Sequence, residues 1–130
     1  MKQSLMLTIS SLLSILLFAF HVADDIVRGF EPGTLANLPT VPILFVWLYG
    51  TLMLAGRRSG HVVMLLGSLL GLAPPILHMM GKGVGVTSRI GHSSGALFFV
   101  WTLIALGVSA LFSAVLSARG LWSLRRGPQP

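Results

Sequence analysis

No charged side chain occurs in the seventeen residues from Ser4 to Phe20. A helix needs about 20 mostly apolar residues to cross the hydrocarbon core of a bilayer, and this run nearly supplies them alone. Three further runs follow, Val41 to Ala55 (Pro39 to Gly56 with its flanks), Val62 to Met79 and Ser93 to Leu116. The chain is 54% hydrophobic and 9% charged, where soluble domains carry about 25% charged residues. A chain of 130 residues cannot bury that much apolar surface in one aqueous core. The expected architecture is all-α: one domain over residues 1–130, a four-helix transmembrane bundle with spans near 4–22, 39–56, 62–79 and 93–117 and short loops. Breaker residues at Glu31-Pro32-Gly33, Gly56 to Gly60 and Gly81 to Gly85 separate the runs, and Gly127 to Pro130 reads as coil.

A secretory signal is the rival reading of the first run, because Lys2 precedes it. A cut after Ala23 would leave His21 where a small residue belongs, so the run is read as a helix. Basic residues collect on the cytoplasmic side of membrane proteins. With the N-terminus inside, Lys2, Arg57, Arg58, Arg119, Arg125 and Arg126 lie inside, and Arg28, Lys82 and Arg89 outside. Six against three favours an N-in/C-in orientation. The formal charge of +6 is spread between the apolar runs, which speaks for topology and against nucleic acid. Without cysteine the chain has no disulfide, no thiolate nucleophile and no Cys-attached haem.

All three acids fall together in HVADDIVRGFEPG, at the end of the first span. His21, Asp24, Asp25 and Arg28 stand three, four and seven residues apart, so a continuing helix sets them on one face, and Gly29 and Pro32 end it. In the N-in topology the first and third spans both run outward, ending at His21 and His78, and the fourth starts near His92. His61 lies at the opposite end, beside Arg57 and Arg58, where a solvated interfacial histidine is expected. His21, Asp25 and His78 are therefore the candidate site residues, with Asp24 and His92 behind them. Four arrangements suit these residue types. One is an ion-paired cap, since polar groups near a membrane must find partners. The second is a divalent transition-metal site, because imidazole and carboxylate are ligands for zinc, copper, iron or nickel and His21/Asp25 have helical i, i+4 spacing. The third is bis-histidine haem between His21 and His78. The fourth, a proton or cation path, lacks polar residues across the second span, which offers only Tyr49 and Thr51. Of the two acids, Asp25 is expected to be the inward, paired one.

Small residues let membrane helices approach closely. Ala105, Ser109, Ser113 and Ser117 form one stripe at spacing four, and Gly67/Gly71 and Ser10/Ser14 repeat the pattern. The stripe is expected to face another helix. Pro74 and Pro75 each remove a helical hydrogen bond, which predicts a kink before His78.

HVADDIVRGFEPG, VPILFVWLYGTLML and PPILHM resemble stretches of small four-span bacterial membrane proteins of unassigned function. The resemblance covers most of the chain. It brings no activity, ligand or catalytic residue; the expected localisation, from the spans and charge bias, is multi-pass in the inner (cytoplasmic) membrane. The expected function is that of a non-enzymatic integral membrane protein, an accessory subunit or binding module in contact with lipid and with a membrane-protein partner or a second copy. The rival class is a metal or haem protein of the membrane, including a hydrolase that uses a bound water.

Overall fold

The computed structural model describes residues 2–80 and 90–126. The break expected at Gly81 to Gly85, the charges Lys82 and Arg89, and the coil at Gly127 to Pro130 lie outside the described residues. Four α-helices, α1 (Lys2–Val27), α2 (Thr40–Leu52), α3 (Arg58–Met80) and α4 (Ala96–Arg126), make the fold, with a one-turn 3-10 helix at Leu35–Asn37. No strand occurs among the described residues. All four helical segments are long and apolar enough to cross a membrane, the second when the 3-10 turn is counted with α2. The chain is thus a multi-pass membrane protein in architecture.

The helices are apolar all round, so they bury what fits and leave the rest for lipid. Trp101, Leu97, Val108 and Phe45 point outward at 65%, 84%, 65% and 67% exposure. The interior is layered. Leu7, Met64 and Leu116 form one layer, Phe18, Trp47 and Leu106 a middle one, and Ile90, Phe99 and Leu103 a third. Between them run hydroxyl contacts across helices. Ser14 Oγ donates to Ser109 Oγ (3.0 Å), Ser68 Oγ donates to Ser113 Oγ (2.8 Å), and the Trp47 indole N–H donates to Ser11 Oγ (2.9 Å). Interhelical bonds of this kind contribute about 0.6 kcal/mol each on average in a bilayer. The stripe faces inward as the spacing predicts: Ser109, Ser113 and Ser117 are buried and Ala105 is half-buried.

Trp47 is buried because α3 presents no side chain at Gly67, where a Cβ would run into the indole ring. His61 is also buried, not solvated. It packs against Gly120 of α4, whose missing side chain leaves room for the imidazole.

α1 reaches five residues past its expected end. It stops at a glycine: Gly29 has φ 73°, its N–H bonds to the Ile26 carbonyl (3.0 Å) and Phe30 N–H bonds to the Asp25 carbonyl (2.9 Å). This is a Schellman cap, which needs a left-handed residue at that point. α4 likewise extends to Arg126, and α2 is shorter than its expected span. α3 runs as one helix through Pro74 and Pro75 to Met80. Pro75 lies against α4 at Gly107, where a Cβ would meet the ring at ordinary contact distance, 3.4 Å.

Candidate metal centre

The extra turn and a half of α1 carries the polar stripe back into the bundle. His21 and Asp25, one turn apart, face α3, and α3 brings in His78 from its last turn. His21 Nε2 lies 3.2 Å from Asp25 Oδ2, and His78 Nε2 lies 3.5 Å from the same oxygen. The three residues are 4%, 8% and 6% exposed, so the cluster is closed to bulk solvent on most sides. The two imidazoles meet edge to face, centroids 5.0 Å apart at 82°. Phe99 of α4 backs both rings, at 5.8 Å from His21 and 5.0 Å from His78, and Phe30, turned back by the Schellman cap, covers His78 at 6.3 Å. The other carboxylate oxygen, Asp25 Oδ1, is buried and meets no hydrogen-bond donor among the described residues.

Asp24 and Arg28 leave this cluster and form their own. Arg28 Nε donates to Asp24 Oδ2 at 2.7 Å, Nη1 donates to Ser93 Oγ at 2.8 Å and Nη2 donates to the Gly95 carbonyl at 3.0 Å. The guanidinium also lies over the Phe99 ring, 5.3 Å from its centroid. Arg28 thereby ties the end of α1 to the residues that lead into α4. Asp25 is the inward, paired acid as expected, with both histidines as its partners, while Arg28, which either acid could have held, goes to Asp24. His92 is exposed and outside the cluster. Neither Asp24 nor His92 stands among the three residues whose ligand atoms converge.

The set that converges is His21, Asp25 and His78, each offering one ligand atom within 4.8 Å of the others. A tetrahedral zinc with bonds of about 2.0–2.1 Å holds its ligand atoms about 3.3 Å apart. The two nitrogen–oxygen separations, 3.2 and 3.5 Å, bracket that edge. Haem fits poorly. Axial histidines face each other across a porphyrin, whereas these rings touch edge to face, centroids 5.0 Å apart, and share one oxygen, which leaves no slot for a macrocycle between them.

The cluster forms one wall of a cavity of about 640 Å3 between α1, α2, α3 and residues 30–39. Phe18, Val22, Ile43 and Leu77 line its apolar part, and Glu31, Asn37 and Thr40 its polar part. Asn37 Nδ2 donates to Glu31 Oε2 at 3.2 Å. Sequence reasoning missed Phe30 and Phe99 as ring partners and Ser93 and Gly95 as acceptors for Arg28. The two phenylalanines carry no local signal, because an apolar residue in an apolar run is unremarked. Comparison with protein-family models, with curated proteins and with solved structures gave no match.

Proposed function

We propose that the chain is a metal-binding module of a bacterial inner membrane, holding one divalent transition ion between His21 Nε2, His78 Nε2 and Asp25 at the outward end of an N-in/C-in bundle. The observation that carries this reading is the orphaned Asp25 Oδ1, buried beside two imidazole nitrogens that already converge on its partner oxygen. A buried carboxylate oxygen without a donor costs about 1–3 kcal/mol or more, which counts against a cap built for stability alone. A cation held by His21, His78 and both oxygens of Asp25 would supply the missing partner. Two histidines and one carboxylate form a donor set for zinc and for iron(II) alike. A bound ion would supply Lewis acidity there, and the cavity lined by His21, Asp25 and His78 would give a small ligand room beside it.

Elemental analysis of protein purified without a metal-affinity step tests the reading. One zinc or iron per chain is expected, lost in His21→Ala and His78→Ala and kept in His92→Ala. A metal-free protein that also fails to take up cobalt(II) with a visible absorption band sinks it.

A further inference from the structure

We infer that the end of the bundle opposite the His/Asp cluster carries a binding site for one anionic glycerophospholipid, seated astride Trp122 of α4.

Charge placement comes first. All three side-chain carboxylates of the chain, Asp24, Asp25 and Glu31, lie at the cluster end. Arg57, Arg58, Arg119, Arg125 and Arg126 lie at the other end, for His61 of α3 packs against Gly120 of α4 and fixes the level of both helices. All five arginines are exposed, and none makes a salt bridge among the described residues. Guanidinium groups at a membrane surface attract anionic headgroups, and of these five only Arg119, Arg125 and Arg126 line the grooves that shape the site.

Shape narrows the site within that cluster. Ala118, Trp122 and Arg126 are spaced by four and form one stripe along α4. A groove runs on each side of it. One, of about 490 Å3, is lined by Ala118, Arg119, Trp122, Ser123 and Arg126. The other, of about 360 Å3, is lined by Leu65 of α3 and by Ala118, Leu121, Trp122, Arg125 and Arg126. The two share the stripe. Arg126 folds its guanidinium over the indole, 4.9 Å from the ring. That contact holds the fork where the two grooves meet, at the end of the helix. Arginine binds phosphate oxygens in bidentate fashion, which a lysine does not reproduce.

The ligand these features fit has two apolar chains and a phosphate between them. The phosphate sits on Arg126, with Arg125 beside it. One chain lies in each groove, running past the Trp122 ring toward Ala118, whose small side chain leaves the ridge low. The direction is right for a bilayer lipid, with its head at the helix end and its chains along the helix.

Native mass spectrometry from detergent micelles tests the site, using full-length protein. Phosphatidylglycerol, phosphatidylcholine of the same chains, and inorganic phosphate serve as probes. Retained phosphatidylglycerol is expected, with phosphatidylcholine washed off and inorganic phosphate unable to compete. Arg126→Gln should weaken retention about tenfold, as loss of a charge-assisted bidentate contact does. Arg126→Lys should fall between the two, and it also serves if the glutamine variant does not fold. The double variant Arg57→Gln/Arg58→Gln, outside both grooves, should retain lipid as the parent does. Equal retention of both lipids would reduce the site to two greasy grooves and overturn the proposal. An equal loss in the Arg57/Arg58 variant would make it diffuse charge, and full displacement by inorganic phosphate would make it an anion site without lipid. Each of these outcomes rejects the proposal.

Discussion

Asp24 and Arg28 are joined at 2.7 Å on one side of α1, while Asp25, the next residue, faces the two histidines on the other. The side chains of the ion pair are 16% and 12% exposed, so little water remains to replace either partner. Asp24→Asn removes the counter-charge and leaves the guanidinium neutral acceptors, the new amide oxygen, Ser93 Oγ and the Gly95 carbonyl. A cost of about 1.5–3 kcal/mol is expected, the range for hydrogen bonds to charged groups. Asp25→Asn removes a buried charge that has no donor for one of its oxygens, so the metal-free protein should change by about 1 kcal/mol or less, or gain. Thermal unfolding of both variants in one detergent, with chelator present, compares them. The order Asp25→Asn worse than Asp24→Asn in metal-free protein would mean that Asp25 is held by the histidines alone and needs no ion.

The metal-loaded protein should reverse that order. Asp25→Asn is expected to lower metal affinity by at least about a hundredfold, since even an outer-shell partner is worth 10–100-fold. Competition against a fluorescent chelator measures it, and an unchanged affinity would remove Asp25 from the ligand set.

Binding should also depend steeply on pH. Both imidazoles bind metal only when neutral, so protons and the ion compete for the same nitrogens. The direction is fixed: metal-derived stability is present at neutral pH and lost as the pH falls. Once both histidines are protonated, affinity should drop by about two decades per pH unit. Titration of cobalt(II) absorbance from neutral to acid follows this. A flat profile through the acid range would exclude histidine ligation.

The serine stripe offers a packing test. Ser109 is 7% exposed, accepts from Ser14 Oγ and donates to the Leu106 carbonyl. Leucine there has no free volume between α1 and α4. Overpacking of this size costs about 1–3 kcal/mol. Ser109→Leu should lower the melting temperature in detergent. Phe45→Leu, on a lipid-facing residue, should leave it unchanged.

Much of this was legible in the chain because the bilayer imposes strong rules. Four apolar runs could become little other than four helices, and the antiparallel order that follows sets His21 and His78 at one end. The i, i+4 spacing then aligned Asp25 with His21. What was not legible was the choice of Arg28 between two acids, one three and one four residues away. Local geometry leaves that choice open, and it is decided by Ser93 and Gly95, more than sixty residues on. The burial of Trp47 and His61 was hidden for a similar reason. Each depends on a glycine of another helix, Gly67 or Gly120, whose effect is a missing side chain in a place only the packed structure defines.

That dependence yields the last prediction, because two glycines at helix interfaces should respond oppositely to one added methyl. Glycine inside a helix is destabilising by about 0.5–1 kcal/mol relative to alanine, so Gly→Ala is favourable wherever there is space. At Gly107 there is space: the new Cβ would sit 3.4 Å and 3.6 Å from Pro75 Cγ and Cβ, ordinary contact. Gly107→Ala should therefore be neutral or raise stability by up to about 1 kcal/mol. At Gly67 the methyl would enter the Trp47 ring at its fused edge. The indole cannot yield without breaking its N–H bond to Ser11 Oγ and disturbing its edge contact with Phe18, centroids 6.4 Å apart. Gly67→Ala should thus cost about 1–3 kcal/mol by overpacking, despite the better helix propensity. Trp47→Phe separates the two contributions, since it keeps a ring but loses the donor, and should cost about 1 kcal/mol. Melting temperatures of the three variants in the same micelle give the comparison. Gly67→Ala matching Gly107→Ala would show that α2 slides freely against α3 and that Trp47 is not wedged between them.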